Sequence, residues 1–324
     1  MGIGDDAAVI DPRKEKVLIT TDMMHEGIHF DLSFTAPFQL GFKLVSVNVS
    51  DIMAMGGQPR YLFLNIAVKK DVDEVFFWNL FEGISEAMGI YGVKLLGGDL
   101  SSAANDMVLS ATVIGGGDKI ITRGGASVGD KIYVTSTTGD SACGLEILKR
   151  LTPESKKAVA VLGDKKAKDF PDLILSVGPD RLTLEWDIAE PLLRRHLMPV
   201  ARDSSRLVPY AKAMIDVSDG LFIDLSRMCD ESNAGARIYL DRIPISDEMR
   251  YAAGIIGLDP LSLATSGGED YELLFTAPVG LIEEDSAVKA TCIGEIIEKD
   301  RIVVDSTGRE SAMKVEGYQH FGSS

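Results

Sequence analysis

The sequence predicts an α/β protein in two parts, on three observations. Strand-like and helix-like runs alternate up to Ile114, in a β-α-β-β-type order that gives one sheet covered by two helices. Gly115-Gly116-Gly117 and the polar stretch to Gly129 interrupt that alternation, as a junction does. From Lys131 a second set of strands and helices begins. The expected division is residues 1–117 against residues 118–324.

The elements follow from local pattern. Val17 to Thr21 is β-branched and apolar and reads as a strand running into Asp22. A helix follows, with Thr35 as N-cap, Pro37 in its first turn, and Gly56-Gly57 stopping it after Met55. Asn48 and Asp51 share one of its faces, while Leu44, Val45, Val47, Ile52 and Met55 supply the apolar surface. Tyr61–Val68 is a strand, Val72–Ile90 a helix, Val93–Leu96 a strand ending at Gly97-Gly98-Asp99, and Met107–Ile114 a strand. In the second part, Lys131–Thr135 is a strand, and Thr137 to Ser141 leads into a helix through Leu151. Residues 152–180, rich in Lys and Asp, read as a peripheral insertion. A helix is expected over Ser204–Ala213 and a strand over Met214–Asp216. Ser218 is then the expected cap of a helix with Leu221, Leu225 and Met228 inward. Further strands are expected at 236–240, 271–276, 291–297 and 302–304.

Composition excludes several classes. With 324 residues, 45% of them hydrophobic, the chain can bury a substantial core. A net charge of −16 argues against nucleic acid or anionic membrane as partner, both of which require a basic footprint. No apolar run reaches the roughly 20 residues of a membrane span and Met1 to Asp5 carries no signal-peptide pattern, so the expected location is the cytoplasm. Cys143, Cys229 and Cys292 are odd in number and far apart, as reduced core thiols are.

Seven aspartates stand in five short segments: Gly4-Asp5-Asp6, Thr20-Thr21-Asp22, Ser50-Asp51, Gly97-Gly98-Asp99 and Asp216-Val217-Ser218-Asp219-Gly220. If folding gathers them, their repulsion calls for hard divalent cations with oxygen ligands, and so for phosphate chemistry. Some of these segments also have a plainer reading. Helix capping explains Ser218 without any ligand, and glycine-rich turns ending in Asp are common. Asp216, at the end of an apolar strand, is not explained by capping. Ser266-Gly267-Gly268-Glu269-Asp270-Tyr271-Glu272 reads either as a ligand-approach loop or as a polar turn entering a strand. The four histidines have no zinc-ligand spacing and form no nucleophilic triad; His29, in a glycine-containing loop after Asp22, is the best functional candidate. A phosphate-binding loop of the G-x-x-x-x-G-K-[ST] type does not occur.

Taken in order, Gly2 to Ala8, Thr20 to Asp22 with Glu26 to Phe30, Asn48 to Asp51, Gly97 to Asp99, Asp216 to Leu221 and Ser266 to Leu273 resemble the thiamine-monophosphate kinases. These belong to the superfamily of aminoimidazole ribonucleotide synthetase and selenophosphate synthetase. The likeness spans nearly the whole chain. The Asp-rich segments are superfamily-wide, and the Gly27-to-Phe30 and Ser266-to-Glu272 segments point to the thiamine branch. The resemblance implies a mixed N-terminal sheet that joins its copy in a homodimer, a C-terminal α/β sandwich, and nucleotide and metals in the cleft between. It implies ATP-dependent phosphorylation of thiamine monophosphate. Several Mg²⁺ ions would be held by Asp6, Thr20, Thr21, Asp22, Asp51, Asp99, Asp216 and Asp219; ATP by Gly98, Asp99, Arg123 and Ser218; and the thiamine substrate by His29, Glu269 and Tyr318. No residue beyond metal and phosphate ligands is expected to do chemistry. An aminoimidazole ribonucleotide synthetase-like enzyme and a non-catalytic nucleotide-binding protein of this fold are the alternatives; the first lacks the thiamine-type segments, and the second would have lost acidic ligands that are present here.

Overall fold

A computed structural model describes residues 8–10, 16–163, 174–178, 182–282 and 287–318. The first part contains β1 (Ala8–Ile10), β2 (Lys16–His25), α1 (Pro37–Ala54), β3 (Gln58–Lys69), α2 (Glu74–Tyr91), β4 (Lys94–Ala103) and β5 (Val108–Gly117). Its strands form one mixed sheet in the order β1-β2-β5-β3-β4, in which only β3 and β4 run parallel. One face of the sheet is buried, with Leu18, Leu62, Leu64, Leu109, Ala111 and Val113 inward. α1 lies against that face and is buried nearly all round, because α2 packs on it as well.

The second part runs β6 (Lys131–Thr135), α3 (Asp140–Arg150), α4 (Pro153–Val159), β7 (Ile174–Val177), β8 (Leu182–Glu185), α5 (Trp186–Leu197), β9 (Ala213–Asp216), α6 (Leu221–Ser232), β10 (Gly235–Tyr239), α7 (Asp247–Ile256), α8 (Pro260–Ser266), β11 (Leu273–Ala277), β12 (Ala290–Ile297), β13 (Arg301–Val304) and β14 (Glu310–Ala312). Seven strands make a sheet in the order β14-β13-β10-β12-β6-β11-β9, and β7 and β8 form a separate hairpin. β9, bearing Asp216 at its end, lies at the edge of the large sheet, and α1 packs against it. That contact brings the two parts together at the site. Side chains of α1 also reach the residue 152–180 region: the Gln39 amide donates to the carbonyls of Val159 and Leu162 at 2.8 and 3.2 Å. Val159, Leu175 and Val177 are themselves core residues.

Four local expectations are corrected. α1 starts after Ala36, not Thr35, and Ala36 has no side-chain oxygen to cap the first turn; the Gln39 side chain instead accepts the Ala36 N–H at 2.9 Å. Residues 204–211 form successive turns, with Leu207 N–H donating to Ser204 O and Tyr210 N–H to Leu207 O; Pro209 has no N–H with which to continue a helix. Ser218 does not cap α6, whose N-cap is Gly220. Gly97-Gly98-Asp99 does not end β4 but lies inside it, since the ladder to β3 continues from Lys94 to Ala103. A Cβ on Gly98 would sit 1.8 Å from Leu64 O, so close strand approach alone requires that glycine.

Candidate active site between the two sheets

Where β2, α1, β9 and the 266–272 loop meet, they enclose a cavity of about 500 Å³. Thr20, Thr21 and Asp22 reach it from β2, Asp51 from α1, and Asp216, Ser218 and Asp219 from β9 and the turn after it. Arg123, His29, Glu269 and Tyr318 complete the predicted residues on its wall. Gly98 and Asp99 do not line it. They stand on the outer strand β4, where Gly98 shares a row with Leu64, Ala111 and Asp22, three strand spacings or roughly 14 Å across the sheet. Asp6 lies outside the described residues.

Hydrogen bonds fix most of these groups. Thr20 Oγ1 donates to Asp51 Oδ2 at 2.5 Å, and Ser50 Oγ donates to Asp216 Oδ2 at 2.5 Å, tying α1 to β9. Asn48 is fully buried: its amide donates to Leu44 O and its carbonyl accepts the Asp22 N–H at 2.9 Å, which sets the height of Asp22 on β2. The turn before α6 is organised by Asp224, one of whose carboxylate oxygens accepts from the N–H groups of Ser218, Asp219 and Gly220 at 3.0–3.1 Å. Its other oxygen takes Arg227 at 2.6 Å, and Arg227 also pairs with Asp219 at 2.6 Å.

The 266–272 loop is zipped to that turn. Glu269 N–H donates to Ser218 O at 2.7 Å, Tyr271 N–H to Val217 O at 2.9 Å, and Val217 N–H to Glu272 O at 2.8 Å. A Cβ on Gly268 would lie 2.6 Å from Ser218 O. Glu269 and Tyr271 both have positive φ, 65° and 51°, a conformation that non-glycine residues hold only when their surroundings impose it. Tyr318 N–H donates to Asp219 O at 3.0 Å and so brings the last described residue onto the same wall. On the opposite side, the Glu26 carboxylate accepts from Lys69 Nζ at 2.6 Å and Met107 N–H at 2.9 Å, anchoring the loop of His29. The His25 N–H donates to His29 Nδ1 at 3.0 Å, so a neutral His29 carries its proton on Nε2.

Sequence reasoning missed three charged or titratable residues on this wall: Lys43, His196 and Arg227. Lys43 had a signal, since Lys43, Val47 and Asp51 recur at four-residue spacing on one face of α1 and all three line the cavity. With them, five carboxylates face three permanent cations, a net charge of −2. Burial disfavours the charged form of His196, and the Lys43 charge adds to this, lowering its pKa to about 3. Burial opposes ionisation of Glu269 too, but Lys43 and His196 outweigh it and hold the carboxyl below its usual range.

The gathered donors are carboxylate and hydroxyl oxygens, with no thiolate among them, a set that suits a hard cation. Among the described residues no three Asp, Glu, His or Cys side chains form a ready-made metal cage. Mg²⁺ does not need one, because it keeps several waters and takes one or two carboxylates together with substrate phosphates. The residues therefore fit Mg²⁺ arriving with a nucleotide. Glu272, in the same sequence segment, turns away from the cavity: it is fully buried, paired with Arg195 and Arg202, and accepts the Thr135 hydroxyl at 2.6 Å.

Two α/β parts with an oxygen-rich, net-negative cleft between them make a site that suits a hard cation and, through it, a phosphate ligand. Residues 4–116 match the family model for the N-terminal domain of AIR synthase related proteins, and residues 127–306 the model for their C-terminal domain. The thiamine-monophosphate kinase of Escherichia coli (strain K12) is 34% identical over 333 residues, covering 100% of this chain and 92% of the relative. That of Aquifex aeolicus is 30% identical, covering 98% and 92%. A solved structure, AaThiL complexed with AMPPCP and TMP, superposes with a TM-score of 0.80 at 30% identity, again covering 98% of this chain and 92% of that one. The chain thus belongs to the AIR synthase related family and, within it, to the thiamine-monophosphate kinases.

Proposed function

We propose that this protein transfers the terminal phosphoryl group of ATP to thiamine monophosphate, giving thiamine diphosphate. One observation carries the reading: a single cavity is lined both by the oxygen-rich set from β2, α1 and β9 and by His29, Glu269 and Tyr318. The relative with AMPPCP and TMP bound supports both substrates. A phosphate monoester has its second pKa near 6, so the attacking oxygen is already an anion at neutral pH. No general base is then required, which accords with a wall whose buried histidine stays neutral. The remaining barrier is bringing two anions together in line. Charge neutralisation at the phosphates is the chemistry that Mg²⁺ held by these residues would supply.

In this reading Thr20, Thr21, Asp22, Asp51, Asp216 and Asp219 hold Mg²⁺, joined by Asp6, while Arg123 and Ser218 meet the nucleotide; Asp99, outside this cavity on β4, is not part of that set. His29 offers Nε2–H, and Glu269 and Tyr318 bind the thiamine part. We place the boundary between the two domains after Gly117, with a cytoplasmic location. The working unit is a homodimer joined along β4: Leu95, Leu96 and Leu100 are 41%, 55% and 58% exposed on an edge strand, an arrangement that monomers avoid. Asp99 then stands at the seam. The test is incubation with Mg-ATP and thiamine monophosphate, with thiamine and an aminoimidazole-pathway precursor as controls. Formation of thiamine diphosphate supports the reading, and turnover only with the controls refutes it.

A further inference from the structure

Lys43 is 2% exposed, on a helix otherwise packed into the core. Burying an ammonium costs several kcal/mol unless a carboxylate answers it. Its answer is Glu269: Lys43 Nζ lies 2.9 Å from Oε1. The second oxygen of the same carboxylate, Oε2, is 3.2 Å from Nδ1 of His196, which also lies 3.2 Å from Ser141 Oγ. A carboxylate only accepts, so the imidazole must carry its proton on Nδ1 and donate it. The two supports come from different parts of the protein, Lys43 from α1 and His196 from α5. Glu269 itself is held at positive φ in a loop, and its side chain keeps 27% of its surface open toward the cavity. One carboxylate is therefore fixed at both oxygens and still faces the space where substrate would enter.

We infer that Lys43 and His196 are the positioning residues for Glu269, holding its carboxylate in the one orientation that recognises the thiamine end of the substrate. The inference rests on the kinase reading above. Neither residue reaches the phosphates in this role; they act through Glu269, and their loss weakens recognition of thiamine monophosphate rather than of ATP.

The experiment is steady-state kinetics on Lys43→Met, Lys43→Arg, Glu269→Gln and the double variant Lys43→Met/Glu269→Gln, with thermal unfolding alongside. Wild-type turnover of thiamine monophosphate tests the kinase reading on its own, so its failure is distinct from failure of the inference. Lys43→Met is expected to raise KM for thiamine monophosphate about tenfold and leave KM for ATP within about twofold. Lys43→Arg is expected to recover most of that loss. In the Glu269→Gln background, Lys43→Met should add less than about twofold, because its effect passes through the carboxylate. A lower unfolding temperature with unchanged KM for thiamine monophosphate, or full additivity in the double variant, overturns the inference. If Lys43→Met is recovered unfolded, His196→Gln carries the same test: a folded His196→Gln with unaltered KM for thiamine monophosphate overturns it as well.

Discussion

Asp216→Asn should stabilise the metal-free protein and disable it at the same time. Asp216 is 1% exposed and shares the cavity with four other carboxylates and with Lys43, Arg123 and Arg227, so its surroundings carry a net charge of −1. A cavity of about 500 Å³ is roughly 10 Å across, and two like charges at that distance repel by about 1.7 kcal/mol at an effective dielectric constant of 20. The amide keeps an oxygen for the Ser50 hydroxyl. Without Mg²⁺ the variant should therefore unfold with about 1–2 kcal/mol more stability than the parent. Saturating Mg²⁺, at about a hundred times its Kd, should stabilise the parent by roughly 2.7 kcal/mol and the variant by much less. Turnover should fall on the order of a thousandfold, the scale at which a charge-neutralising contact in phosphoryl transfer acts. The assay is denaturant unfolding at zero and excess Mg²⁺, paired with product formation from ATP and thiamine monophosphate. Turnover within tenfold of the parent at saturating Mg²⁺, or an undiminished Mg²⁺-induced stabilisation, refutes the metal-ligand role.

Three further outcomes follow from the same geometry. His196 has its folded pKa lowered to about 3 from 6.5, so as pH falls the unfolded chain takes up the proton first; stability is complete above about pH 6.5 and declines toward pH 3 by at most about 1.4 kcal/mol per pH unit. Unfolding curves between pH 6.5 and 4.5 should be shallower in His196→Gln, and equal slopes would contradict this. Glu272→Ala strips the counter-charge from the buried Arg195 and from Arg202 and should cost about 3–5 kcal/mol; a loss under about 1 kcal/mol in chemical denaturation would rule out a structural ion network. If the proposed homodimer forms along β4, Leu100→Glu on its exposed edge should shift sedimentation toward the monomer, whereas an unchanged species would refute pairing through β4.

What the sequence made legible was whatever rests on short-range pattern. The runs of β2, α1, β3 and α2 are apolar at the period of their elements, and the carboxylates of Asp22, Asp51 and Asp216 stand where a strand or helix delivers them to one cleft. Two of the errors arise where another residue took over the role that the local pattern assigned, whereas the turns around Pro209 had a local signal in the proline itself. Ser218 is the better cap on local rules, yet Asp224 reaches back from inside α6 and satisfies three N–H groups with one oxygen. Gly97-Gly98 looks like a strand end until β3 is known to run alongside it, close enough that Gly98 admits no Cβ. Charge was hardest of all to place. Glu269 and Glu272 sit three residues apart in one motif and look equivalent, but the loop's two positive φ values send the first to the cavity and the second to Arg195 and Arg202. Lys43, in a helix that otherwise reads as core, is explained by Glu269 and by nothing near it in the chain. The acidic residues of the cavity are therefore readable as motifs, while Lys43 becomes intelligible only once the two parts are packed, because its counter-charge, Glu269, belongs to the other part.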